Sequence, residues 1–98
     1  MFVKIRKRDG REAPFNAEKI AGAILKALAA VAEETGEAAR QDAALALTER
    51  VAARMEAELA GRVPQVEEIQ DIVENVLIES GRARAAKAYI LYRTRRSQ

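Results

Sequence analysis

The apolar positions of this chain begin by alternating and then change to helical spacing. Val3 and Ile5 alternate with Lys4 and Arg6, Asp9-Gly10 is a turn signal, and Ala13 and Phe15 resume the alternation. The pattern predicts a β-hairpin, and its register follows from sidedness. A turn made of Asp9-Gly10 alone would set Lys4 against Phe15. A loop of Arg8-Asp9-Gly10 instead pairs Val3 with Phe15 and Ile5 with Ala13, putting all four apolar side chains on one face. The second register is preferred. It needs Gly10 in the left-handed conformation, sets Arg6 opposite Glu12 and leaves Lys7 and Arg8 at the tip. Pro14 marks the second strand as an edge.

Asn16 is a good N-cap, and Ile20, Ala23, Ile24, Ala27, Leu28 and Val31 then recur at helical spacing, predicting a helix from about Ala17 to Glu33. Glu34-Thr35-Gly36 ends it. A second helix is expected over about Glu37–Ala60, with the stripe Ala44, Leu47, Val51, Met55 and Leu59. Val63 is a candidate for a brief third strand. A third helix over Glu67–Glu79 buries Ile69, Ile72, Val73, Val76 and Leu77, with Glu67, Glu68 and Asp71 near its N-terminus, where the dipole favours acids. A fourth, over about Arg82–Arg95, turns Ala86, Tyr89, Ile90 and Arg93 one way. The expected fold is therefore α+β, a single domain over residues 1–98. It is a four-helix bundle capped by a small β-hairpin or three-stranded sheet, because a lone hairpin is only marginally stable in water.

Composition narrows the chemistry. The chain has no cysteine and no histidine, which removes disulfides, thiol catalysis, zinc–thiolate sites and Ser-His or Cys-His relays. No metal site and no catalytic residue is expected, so the chain reads as a binding domain rather than an enzyme. Absence of cysteine suits a reducing interior, and no signal peptide or membrane span is expected, so the cytoplasm is the expected location.

Charge adds an asymmetry that the net +2 conceals. Lys4, Arg6, Lys7, Arg8 and Arg11 oppose only Asp9 near the start, and Arg82, Arg84, Lys87, Arg93, Arg95 and Arg96 oppose no acid near the end. If the fold joins these segments it creates one positive site; if not, they are separate solvated faces. Lys7 and Arg8 sit beside a turn, Asn16 marks a helix N-terminus that attracts anions, Lys19 lies one turn further, and Lys87 lies in the basic last helix. Such a set could hold a triphosphate. Neither a Walker nor a Rossmann glycine pattern is present. Two other readings remain open. The basic ends could meet nucleic acid, against which the central acidic stretch argues, or the smooth alanine strip Ala43, Ala46, Ala53 and Ala57 could bind another helix. Tyr89 is expected to pack rather than stack on a base.

Three blocks carry a resemblance. Lys7-Arg8-Asp9-Gly10-Arg11-Glu12-Ala13-Pro14-Phe15-Asn16-Ala17-Glu18-Lys19-Ile20, the run from Val63 to Glu74, and Ala86-Lys87-Ala88-Tyr89-Ile90-Leu91-Tyr92-Arg93 resemble, in order, the opening, middle and closing signatures of the ATP-cone family. That resemblance implies a helical bundle with a small sheet cap that senses ATP against dATP, with Mg2+ accompanying the nucleotide. It implies that Lys7 and Arg8 contact phosphates, that Asn16 and Lys19 hold the nucleotide near the first helix, that Val3 lines the base pocket, and that Lys87 adds a phosphate contact. It also implies a partner, either a reductase catalytic domain or a second cone. Ile69-Gln70-Asp71 together with Ala88-Tyr89-Ile90-Leu91-Tyr92-Arg93 is more similar to cones of anaerobic and cobalamin-dependent reductases. Gln65-Val66 departs from the serine or threonine cap of relatives, which puts the start of the third helix and any hydroxyl contact there in doubt. Ala13 stands where some aerobic reductases carry an acid.

Overall fold

The computed structural model describes residues 2–96, without the Arg96 side chain. Strands β1 (Lys4–Arg6) and β2 (Glu12–Pro14) form an antiparallel hairpin with Lys4 opposite Pro14, Ile5 opposite Ala13 and Arg6 opposite Glu12. This is the register that collects the apolar residues. The Phe15 N–H donates to Val3 O at 2.8 Å and the Lys7 N–H to Arg11 O at 2.7 Å, and Gly10 closes the loop at φ 89°. Ile5, Ala13 and Phe15 are half-buried, but Val3 remains 72% exposed. The expected fourth member of the apolar face is thus missing. Phe2 packs against the core in its place, with its ring 6.4 Å from that of Phe15.

Helices α1 (Ala17–Ala30), α2 (Ala32–Thr35), α3 (Gln41–Leu59), α4 (Val66–Glu79) and α5 (Ala83–Arg96) follow. The first expected helix is divided at Val31 into α1 and the single turn α2, which Gly36 ends in the left-handed conformation at φ 73°. The second begins at Gln41 rather than Glu37. Thr35 Oγ1 accepts the Glu37 N–H at 3.3 Å, and Arg40 forks Asp42 at 2.8 and 3.1 Å, so local bonds hold the 37–40 segment out of the helix. Only Ala39 there meets the core, and helical propensity without packing does not fix a helix. The third strand reduces to a bridge of Arg6 to Gln65, with the Arg6 N–H donating to Pro64 O at 2.8 Å, and Val63 forms no strand.

The principal helix contacts are α1 with α3 and α5, and α4 with the same two, which closes a ring around one core. Ile24, Val51, Met55, Val73, Val76 and Leu77 fill its centre. The α3 stripe is buried throughout, together with Thr48, whose hydroxyl donates to Ala44 O at 2.7 Å. On α5 the buried face is Ala85, Ala86 and Tyr89, while Ile90 is 40% exposed, so the expected inward position of Ile90 is corrected. Helices α1 and α5 run antiparallel. The end of α1 at Leu28 and Val31 meets Gly81–Ala85, and Lys26 reaches the Tyr92 ring at 5.8 Å. The start of α1, the hairpin and the end of α5 therefore share one end of the molecule.

Candidate functional site

At the hairpin tip, one acid and one base neutralise each other. Asp9 Oδ1 accepts the Arg11 N–H at 3.0 Å, and Arg11 Nε donates to Asp9 Oδ2 at 2.6 Å. The backbone N–H of Arg11 is the main cause that lowers the Asp9 carboxyl pKa below its ordinary value. Behind this pair, Arg6 meets Glu12 at 3.3 Å and Lys4 meets it at 3.6 Å. Lys7 and Arg8 are exposed, and among the described residues their side chains make no ion pair or hydrogen bond. Lys19 and Lys87 are in the same condition. Arg54, Arg62, Arg82, Arg84 and Arg93, in contrast, are each held by an acid. Lys7, Arg8, Lys19 and Lys87 thus differ from these arginines in making no side-chain ion pair or hydrogen bond among the described residues.

The start of α1 adjoins the second strand. Asn16 caps it, its Oδ1 accepting the Glu18 N–H at 2.9 Å, which fixes the side chain and leaves its amide NH2 as the group free to donate. Lys19 follows one turn later, exposed. Across the tip, Arg8 lines a cavity of about 380 Å³ with Glu74, Ile90, Arg93 and Thr94. Of the basic start and basic end of the chain, Arg8 and Arg93 line this one cavity, while Arg82 and Arg84 lie with Leu28 and Val31 at the other end of α5.

The other two candidates lie further off. Val3 lines a separate cleft of about 320 Å³ with Phe2, Lys4, Glu56 and residues 60–63, which contains none of the other candidates. Lys87 is on α5, seven residues before Thr94, which is ~10 Å along a helix axis.

A family model for the ATP cone domain matches residues 3–98. The chain belongs to the ATP-cone family. It is 42% identical over 101 residues to the vitamin B12-dependent ribonucleoside-diphosphate reductase of Thermoplasma acidophilum, covering 98% of this chain and 12% of that protein. A protein of the same description from Mycobacterium tuberculosis is 36% identical over 97 residues, 98% of this chain and 13% of the relative. The ribonucleoside-diphosphate reductase subunit alpha of Chlamydia pneumoniae is 37% identical over 99 residues, 99% of this chain and 10% of the relative. This chain thus spans only about a tenth to an eighth of the length of those reductases.

In this ATP-cone the entry to α4 is secured without a serine or threonine. Glu68 reaches back to accept the Gln65 N–H at 2.9 Å while Arg62 forks it from outside. The Arg62 hydrogen bond, helped by the Gln65 N–H, lowers the Glu68 pKa from 4.5 to about 2. Tyr89 is buried, and desolvation pushes its pKa up to about 12, so it packs as expected and offers no open face.

Sequence reasoning missed Glu74 and the ion-paired role of Arg93. It also missed Gln70, one helical turn before Glu74 on α4, whose buried Oε1 has no hydrogen-bond partner among the described residues. Acids on one helix give no sign of which basic residue on another will meet them. The only trace was the spacing of Gln70, Asp71 and Glu74 beside an apolar stripe.

Proposed function

We propose that this ATP-cone binds ATP or dATP and acts as a nucleotide-sensing regulatory domain, either of a cobalamin-dependent or anaerobic ribonucleotide reductase or standing alone. It contributes binding and no catalytic step. The observation that carries this reading is that Lys7, Arg8 and Lys19, at the hairpin end of the molecule, make no side-chain ion pair or hydrogen bond among the described residues while the neighbouring arginines do. Unpaired cations beside a helix N-terminus suit a polyphosphate, and desolvating them costs less once an anion arrives. The family match and the vitamin B12-dependent relatives support the choice of ligand and host.

In this reading Lys7 and Arg8 hold phosphates, Asn16 donates its amide, Lys19 adds a charge, and Val3 offers its exposed apolar surface to the base. Lys87 adds a weaker long-range attraction. Mg2+ accompanies the nucleotide on its phosphates in this reading. Regulation follows if ATP and dATP favour different arrangements of the domain against a reductase catalytic domain or a second cone, a coupling of about 1–3 kcal/mol in typical cases. No helix among the described residues is long and apolar enough to cross a membrane, and the cytoplasm is the proposed location.

Calorimetric titration with ATP, dATP and GTP in the presence of magnesium tests the reading. The adenine nucleotides should bind saturably and GTP much more weakly. Lys7→Ala with Lys19→Ala should weaken ATP by roughly tenfold or more, as expected for losing charge-assisted contacts. Unchanged affinity would remove this site, and a wild-type chain that binds no nucleotide would overturn the function.

A further inference from the structure

Arg8 is the cation that most needs an explanation for being free. It shares its cavity with a carboxylate, Glu74, whose side chain is only 20% exposed. A partly buried carboxylate draws in any guanidinium within reach, because charge attraction strengthens as water is excluded. Arg8 is nevertheless unpaired. Glu74 already belongs to Arg93, whose own side chain is 16% exposed and whose Nη1 donates to both Glu74 Oε1 and, at 3.0 Å, Asp71 Oδ1. The α5 arginine therefore already holds the one acid that lines the Arg8 cavity.

We infer that Arg93 is a positioning residue for anion binding: by holding Glu74 it leaves Arg8 free to meet phosphate. The inference rests on the nucleotide reading for its purpose, but not for its geometry. Without Arg93, Glu74 turns to Arg8, and an incoming phosphate must break that pair before it can bind. A simple staple between α4 and α5 would behave differently, because removing Glu74 as well could not repair a lost staple.

The test uses the full chain in four forms: wild type, Arg93→Met, Glu74→Gln and the double variant Arg93→Met/Glu74→Gln, each checked for folding by circular dichroism. The first readout needs no nucleotide. It is the Arg8 Nε–H signal in 15N–1H NMR, which should exchange rapidly with water in wild type, become protected and shifted in Arg93→Met, and return to the wild-type state in the double variant. The second is ATP titration, where Arg93→Met should bind roughly tenfold more weakly and the double variant should recover. Arg93→Lys, which keeps a cation beside Glu74, should resemble wild type in both, and Arg93→Gln replaces Arg93→Met if the latter does not fold. An Arg8 signal unmoved by Arg93→Met, or a double variant as weak as the single, overturns the inference. If wild type binds no ATP, the functional reading fails, and the Arg8 signal still decides this one.

Discussion

Gly10 shows how one residue sets the geometry of a site. Its φ of 89° is left-handed, and beyond Asp9, Gly10 and Arg11 themselves no atom of the described residues lies within 4 Å of where a Cβ would stand. A side chain there meets no clash with its surroundings, so the cost of Gly10→Ala is that of the backbone alone, about 1–2 kcal/mol. Denaturant titration should show that loss, and hairpin amides should shift, since the turn that presents Lys7 and Arg8 is the part disturbed. Leu77 is the opposite case. It is fully buried at the centre of the ring of helices, and Leu77→Ala should cost about 2–5 kcal/mol by leaving a cavity. That is a large part of the roughly 5–15 kcal/mol typical of a folded domain. Thermal and urea melts separate the two cases, because only the second threatens the fold.

Among the elements, α4 was the most legible. Its apolar spacing named all five buried side chains: Ile69, Ile72, Val73, Val76 and Leu77. Its entry was harder to read, because Gln65 is a poor cap and the solution lies in Glu68 and Arg62. That solution has a pH signature. The folded pKa of Glu68 is depressed from 4.5 to about 2, so its contribution is present above about pH 4.5 and fades as pH falls toward 2. Glu68→Gln should therefore melt below wild type near neutral pH, and the gap should close on acidification. A gap constant down to pH 2 would show that the carboxylate charge is not what holds the helix start. The start of α3 was misread for a related reason: Glu37–Arg40 has the composition of a helix, but nothing packs there except Ala39, and Thr35 and Asp42 offer closer hydrogen-bond partners. The hairpin register was readable because sidedness admits one pairing, while the exposure of Val3 was not, since Phe2 competes for the same place beside Phe15.

For the molecule as a whole, the candidate site was half visible in the chain. The cations Lys7, Arg8 and Lys19 stand out by composition, but which of them stay unpaired depends on acids that other elements bring near, as Glu12 comes to Arg6 and Glu74 to Arg93. Distance ranks them too. Lys87 lies away from the hairpin end, and Lys87→Ala should cost ATP binding only about 0.2–1 kcal/mol, the scale of an exposed charge. Titration beside the Lys7 and Lys19 variant would show the contrast. The tether between hairpin and bundle, the Arg6 N–H to Pro64 O bond with the half-buried Phe2 and Phe15 rings, has a consequence in time. Elements with few buried contacts open more often than a core does, so the hairpin should open more often than the bundle. If the cations at its tip hold a nucleotide as proposed, release of that nucleotide and exposure of the hairpin amides to solvent deuterium would both follow that opening. Ligand lifetime and hairpin deuterium uptake would then be two clocks driven by one motion, slowing together as the grip tightens.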